Sequence, residues 1–257
     1  MPKLDFNANF FKANRQRLIS QLPSDLPIAV TANGLIQRGA DTTYPFAQDA
    51  NFWYLTGIND PDITLVIDQQ REFLIVPIRE GSRVTFDGQI DKLVLAKTSG
   101  VSDIINEASG WRRLDGLLMR TKQVATLAPA PSFIEQYGLY ANPARSRFVD
   151  RLKQHAGEDL QLIDIRPQLA ALRVVKQPVE LAAIQRAIDI TLGTLKEVLA
   201  KPYGTYSYEY QVEADISRGF RFRGASVMLL SQLLPAAHGP APCTTSAIQL
   251  ASKAEKS

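Results

Sequence analysis

Two short apolar runs constrain this chain most: DITLVID (62–68) and EFLIVPI (72–78), separated by the polar residues Gln69, Gln70 and Arg71. Runs of this length, rich in β-branched and aromatic residues, predict two strands joined around a polar turn. LPIAVTA (26–32) reads as a further buried strand, and VATLAPA (124–130) as another. Helical patterns lie around them. Residues 8–22 bring Phe10, Phe11, Leu18, Ile19 and Leu22 to about one face, with Lys12, Arg15 and Arg17 largely on the other. That mixed face predicts an ordinary packed surface helix rather than a membrane-binding one. Weaker helical patterns occur at 101–108 and at 143–155, where Phe148, Val149 and Leu152 make a face. Strands alternating with helices predict an α/β layered domain.

The pattern changes near residue 165. In the following segment Pro178 stands at the expected first helical turn, with Glu180 just inside it, where a carboxylate favours the positive helix end. Leu181, Ile184, Ile188 and Leu192 then recur at helical spacing, KPYGT (201–205) breaks the pattern, and a second helix runs through Tyr210, Val212 and Ile216. Two helices opening a new layer predict the start of a second domain. Net charge is only +3 and the basic residues are scattered among acids, which argues against a nucleic-acid partner. No apolar run approaches the roughly 20 residues that cross a bilayer, and the N-terminus lacks the apolar core of a secretory signal. The single cysteine, Cys243, gives no disulfide framework. The expectation is a soluble, cytoplasmic protein without a membrane partner.

The densest unusual segment is RGADTTYPFAQDANFWYLTGINDPD (38–62). Read plainly, Tyr44, Phe46, Phe52, Trp53, Tyr54 and Leu55 fill a core, Gly57 permits a turn, and Asp60 with Pro61 caps the next strand. The order of its parts, an Asp, then YPF, FWYLTG and NDPD leading into a strand, resembles the N-terminal domain of the aminopeptidase P (Xaa-Pro aminopeptidase) family, related to creatinase and prolidase. A second segment, DIRPQLAALRVVKQPVELAAIQRAIDIT, resembles that family's junction into its catalytic domain, through Arg173, Val174, Val175, Lys176, Pro178 and Glu180. The likeness extends over about residues 5–225.

The resemblance implies an α/β fold: a creatinase/aminopeptidase P N-terminal, RNase H-like mixed-sheet domain over 1–172, then the first helices of an incomplete pita-bread catalytic domain over 173–226. It implies descent from an enzyme that removes the residue preceding proline from a peptide's N-terminus, using two manganese ions that share a hydroxide. A prolidase or creatinase relative is the weaker alternative. In the family the first domain assists assembly and closes over a neighbouring subunit's active site. By resemblance, Asp41 approaches the substrate in that subunit, and Phe86, in VTFDG (84–88), stands where the family often carries Trp. Asp41 reads equally as a turn or cap carboxylate, and Phe86 as plain core.

A two-metal site needs about five hard or imidazole ligands. Glu180, Asp189, Glu197, Glu209, Glu213, Asp215 and Glu255 read instead as solvated charges, and His155 and His238 share no motif with carboxylates. The expectation is no catalytic residue, no bound metal and no activity of the chain alone. From Val227 to Leu250 there is no Asp, Glu, Lys or Arg. Codons for Gln232 to Ser246 can be chosen that, shifted by a base, read IVASGARACTLHYI, the family's expected continuation. Residues 227–257 are therefore expected to be an aberrant, frameshifted tail. Proline-containing peptides are the full-length family's substrates; for this chain the reading is a truncated product inactive alone, and the alternative is a stand-alone oligomerisation or regulatory module that pairs with itself or with a full-length homologue.

Overall fold

The computed structural model describes residues 6–68, 71–81, 84–85, 88–130, 133–137, 141–202 and 204–225. They fall into two compact units, the first ending at Val175 and the second taking up the chain at Lys176. The expected tail, 227–257, lies outside the described residues.

In the first unit, helix α1 (Ala8–Ile19) leads into strand β1 (Ile28–Thr31). Helix α2 (Ala50–Thr56) and strands β2 (Thr64–Asp68) and β3 (Arg71–Val76) follow. Next come α3 (Lys92–Ser99), β4 (Asp103–Asn106), α4 (Glu107–Thr121) and β5 (Gln123–Thr126). A short α5 (Phe133–Gln136), α6 (Ala144–Ala156), β6 (Gln161–Asp164) and α7 (Arg166–Val174) complete it.

The six strands form one sheet in the order β4-β3-β2-β1-β5-β6. Only β2 runs against the others: β1 with β2 and β2 with β3 are antiparallel, and the remaining pairs are parallel. A polar turn suffices for the β2–β3 link, whereas each parallel pair needs a helical crossover. The central strands are buried along most of their length, as their near-continuous apolar sequences require when helices cover both faces. Val66, Phe73 and Ile75 point to one face, where they pack with Trp111, Leu114 and Leu118 of α4 and Phe148 and Leu152 of α6. The mixed-sheet α/β architecture expected from the sequence is therefore the one observed.

Four local expectations are corrected. Arg15, assigned to the solvated face of α1, is fully buried, because its guanidinium meets two backbone carbonyls and Glu72. Residues 101–108 are not one helix: Asp103–Asn106 form strand β4, its Ile104 and Ile105 paired with Leu74 and Ile75, and only the last two residues are helical. The helix begins one step later, where the Asn106 side chain accepts from the Ser109 N–H. Tyr44 is 52% exposed rather than core, whereas Phe52, Tyr54 and Leu55 are buried. Arg71 belongs to β3 rather than to the turn; Gln69 and Gln70 lie outside the described residues. Gly57 does end α2, with a φ of +70°. A side chain there would also strike the Phe11 ring, since a Cβ would stand 2.3 Å from it.

The second unit is a helical pair, α8 (Pro178–Leu199) and α9 (Glu209–Phe222). Glu180 accepts from the Gln177 N–H at 2.9 Å, completing the N-terminal cap. Ile190 and Thr194 of α8 and Ile216 and Gly219 of α9 are buried. Gly219 is required by that packing, because a Cβ there would lie 2.5 Å from Thr194. Among the described residues no helix is long and apolar enough to cross a membrane.

Candidate functional site

Between β1 and α2 the chain runs as an irregular strap, residues 33–49, and its roots are pinned. The Gln48 side-chain oxygen accepts from the N–H groups of Asn33 and Asp49, while its amide donates to the carbonyls of Ile58 and Asp60. Asn142, ahead of α6, grips the backbone of Gly34 from both sides, donating to its carbonyl at 2.7 Å and accepting from its N–H at 3.2 Å. Asp49 caps α2 by accepting from Asn51 and Phe52 and is held by Arg145. These bonds satisfy backbone groups that a loop would otherwise leave to water.

Asp41 stands at the tip of the strap. There the chain doubles back, with the N–H groups of Arg38 and Gly39 both donating to Thr42 and Gln37 bridged to Thr43. The side chain of Asp41 is exposed, and among the described residues it makes no hydrogen bond or ion pair. It sits in a turn yet caps nothing. Arg38 lies over the Tyr44 ring at 5.9 Å, giving the same tip a cation and an exposed aromatic. Phe86 lies outside the described residues.

Two cavities lie in the first unit, one of them against the strap. One of about 220 Å³ is lined by Leu35 and Phe46 of the strap together with Asp60, Asp62 and Arg79. The other, about 310 Å³, lies at the ends of β1 and β3 against α4 and α6.

Among the described residues no three His, Cys, Asp or Glu side chains come together as a ligand group. His155 shares no sequence motif with a carboxylate but meets one through the fold: its Nδ1 lies 2.9 Å from Asp115, 40 residues away. The imidazole also stacks on Trp111, and this pair offers only two ligands. Asp215 is engaged by Lys201, Tyr206 and Arg218. The Lys201 and Tyr206 hydrogen bonds hold its carboxyl at about 2. Glu197 pairs with Arg223 and remains an exposed surface charge, as the sequence suggested. The described residues therefore do not fit a two-metal centre.

Of the residues that build the strap, Asp49 carries a legible signal, an N-cap side chain just before ANFWYLT. Gln48 and Asn142 carry none, since their roles depend on groups brought close only by the fold.

Residues 11–123 match the family model of the aminopeptidase P N-terminal domain. The Xaa-Pro aminopeptidase of Escherichia coli is 26% identical over 227 residues, covering 84% of this chain and 49% of that protein. The Xaa-Pro aminopeptidase of Haemophilus influenzae is 28% identical over 217 residues, covering 82% of this chain and 46% of that one. A zinc-substituted Escherichia coli aminopeptidase P, solved in complex with product, matches the fold with a TM-score of 0.67 at 24% identity, over 84% of this chain and 50% of its own. The chain thus spans about half the length of the relatives it matches. Residues 11–123 are thus similar to the aminopeptidase P N-terminal domain, and the fold of the chain is one that a solved aminopeptidase P shares.

Proposed function

We propose that these 257 residues carry the N-terminal-domain share of an Xaa-Pro aminopeptidase and do not by themselves release the residue that precedes proline. The observation that carries this reading is the match of residues 11–123 to the family's N-terminal domain, in a chain spanning about half of its relatives' length. Manganese, in this reading, belongs to a full-length partner.

The share assigned to the chain is presentation of Asp41. A strap pinned at Asn33, Gly34 and Asp49 carries an exposed, unpaired carboxylate at its tip. Such a group is suited to a charge-assisted contact with a peptide held by a neighbouring subunit. By resemblance, Phe86 would add an aromatic contact. The partner is a second copy of this chain or a full-length homologue, and residues 227–257 are an aberrant tail that takes no part.

Purified chain incubated with manganese and an Xaa-Pro peptide is expected to show no metal-dependent turnover; appreciable turnover overturns the reading. Co-purification with a full-length homologue is expected if the chain acts as a pairing module, and its failure reduces the chain to an inert fragment. An open frame downstream in the DNA, in register with LHY, would establish the origin of the tail.

A further inference from the structure

We propose that Asn33 and Gly34, at the first root of the strap, form a latent modification site: the side-chain amide of Asn33 converts through a succinimide to aspartate and isoaspartate, and Asn142 holds that reaction off. The inference goes beyond the function proposed above and does not depend on Asp41.

The sequence holds one Asn-Gly pair, and it falls at this root. An asparagine followed by glycine is chemically vulnerable, because the glycine nitrogen reaches the side-chain carbonyl with no side chain of its own in the way. The Gly34 nitrogen attacks Cγ of Asn33 and a new C–N bond closes a cyclic imide. The Asn33 amide leaves as ammonia, taking the proton that the Gly34 nitrogen gives up. Water then opens the imide at either carbonyl. One opening gives aspartate; the other gives isoaspartate, with the main chain rerouted through the side chain.

Everything that this reaction must move is held. Gly34 is buried, and its N–H, which the attacking nitrogen has to lose, donates to Asn142 Oδ1 at 3.2 Å. The Asn142 amide donates back to the Gly34 carbonyl at 2.7 Å. The leaving group is bound as well, since Nδ2 of Asn33 donates to the Ala47 carbonyl at 2.9 Å. On the main chain of Asn33 the N–H donates to the Gln48 side chain at 3.0 Å, and the carbonyl accepts from the Asp62 N–H at 3.1 Å. Asn142 is itself fixed, accepting from the Ala144 N–H at 3.1 Å. Ring closure turns both the Asn33 side chain and the peptide that joins it to Gly34, so these bonds have to open first. Modification therefore proceeds from a locally open state, and Asn142 sets how often that state is reached.

The product does not rebuild the root. A carboxylate only accepts hydrogen bonds, so at position 33 it faces the Ala47 carbonyl oxygen to which the amide had donated. Isoaspartate also lengthens the main chain within the segment that Gln48, Asp62 and Asn142 grip. Either product loosens the strap at one end and leaves the sheet in place.

The test follows the mass of one tryptic peptide. Trypsin cuts after Arg17 and Arg38, so residues 18–38 report the site. The full chain and the free synthetic peptide of residues 18–38 are incubated in mildly alkaline buffer. The native chain is expected to deamidate at Asn33 at least about tenfold more slowly than the peptide. Asn142→Ala is expected to raise the rate in the full chain about tenfold. Asn142→Asp, which keeps the acceptor for the Gly34 N–H, is expected to raise it less. Asn33→Asp is expected to speed hydrogen exchange in the strap, residues 33–49, while β1 and β2 stay protected. A native rate equal to that of the peptide overturns the proposal, as does a peptide that does not deamidate. So does an Asn142→Ala chain that is folded by circular dichroism yet modifies no faster than the parent, or unchanged strap exchange in Asn33→Asp. Where Asn142→Ala does not fold, the native chain against the peptide decides.

Discussion

Arg15 is the residue at which reading a helix by charge gives the wrong face. Its guanidinium donates to the carbonyls of Leu55 at 2.7 Å and Ser99 at 3.0 Å and pairs with Glu72 at 2.7 Å, so one side chain ties α1 to the ends of α2 and α3 and to β3. These partners lie 40, 84 and 57 residues away, and no local pattern can announce them. Removing the guanidinium leaves a part-buried carboxylate and two carbonyls without their donor. Arg15→Ala is therefore expected to lower unfolding free energy by about 3–5 kcal/mol, in the range for breaking a buried pair. Glu72→Gln keeps an acceptor and should cost closer to 1 kcal/mol. Denaturant unfolding of both variants checks this, and equal losses would mean that the carbonyls contribute little.

At the scale of elements, legibility followed locality. The pair β2 and β3 could be read because its two runs adjoin in sequence and pair with each other. α4 could not, because Gly110 and Gly116 interrupt its pattern and lower its intrinsic helicity. Gly110 is there for packing, since a Cβ would stand 2.7 Å from Ile75 of the sheet. The helical pair α8 and α9 was legible as helices, yet the clamp beside their connection was not. Asp215, on α9, accepts from Lys201 and from the Tyr206 hydroxyl, which lowers its pKa from 3.8 to about 2. Because the folded pKa lies below the ordinary one, the clamp stabilises the pair fully above the ordinary value. That contribution fades as pH falls from about 4 towards 2. Asp215→Asn is expected to lower the thermal midpoint at pH 6 and to differ little from the parent near pH 2. A difference that does not change across that interval would show that the ionised clamp does not form.

For the molecule as a whole, fold class and the likeness to the aminopeptidase P N-terminal domain could be read from one segment, because the order of Asp41, YPF, FWYLTG and NDPD is specific while aromatic density alone is not. The strap that carries Asp41 could be placed by sequence, but the side chains that hold it could not, since Asn142 reaches Gly34 across 108 residues. The stripe predicted on α8 exists, and its exposure is the new fact. Leu181, Ile184, Ile188 and Leu192 are 44–54% exposed. A contiguous apolar stripe at a protein surface drives association, so the chain is expected to aggregate at concentrations where a better-covered protein would not. Replacing Ile184 by Glu and Ile188 by Lys removes part of the stripe and adds a favourably oriented i,i+4 pair without lowering helix propensity. The double variant should therefore hold its stability within about 1 kcal/mol while light scattering shows less association at equal concentration. A loss of several kcal/mol instead would mean that these two side chains are packed against something in solution, and that the stripe is an interface rather than an open face.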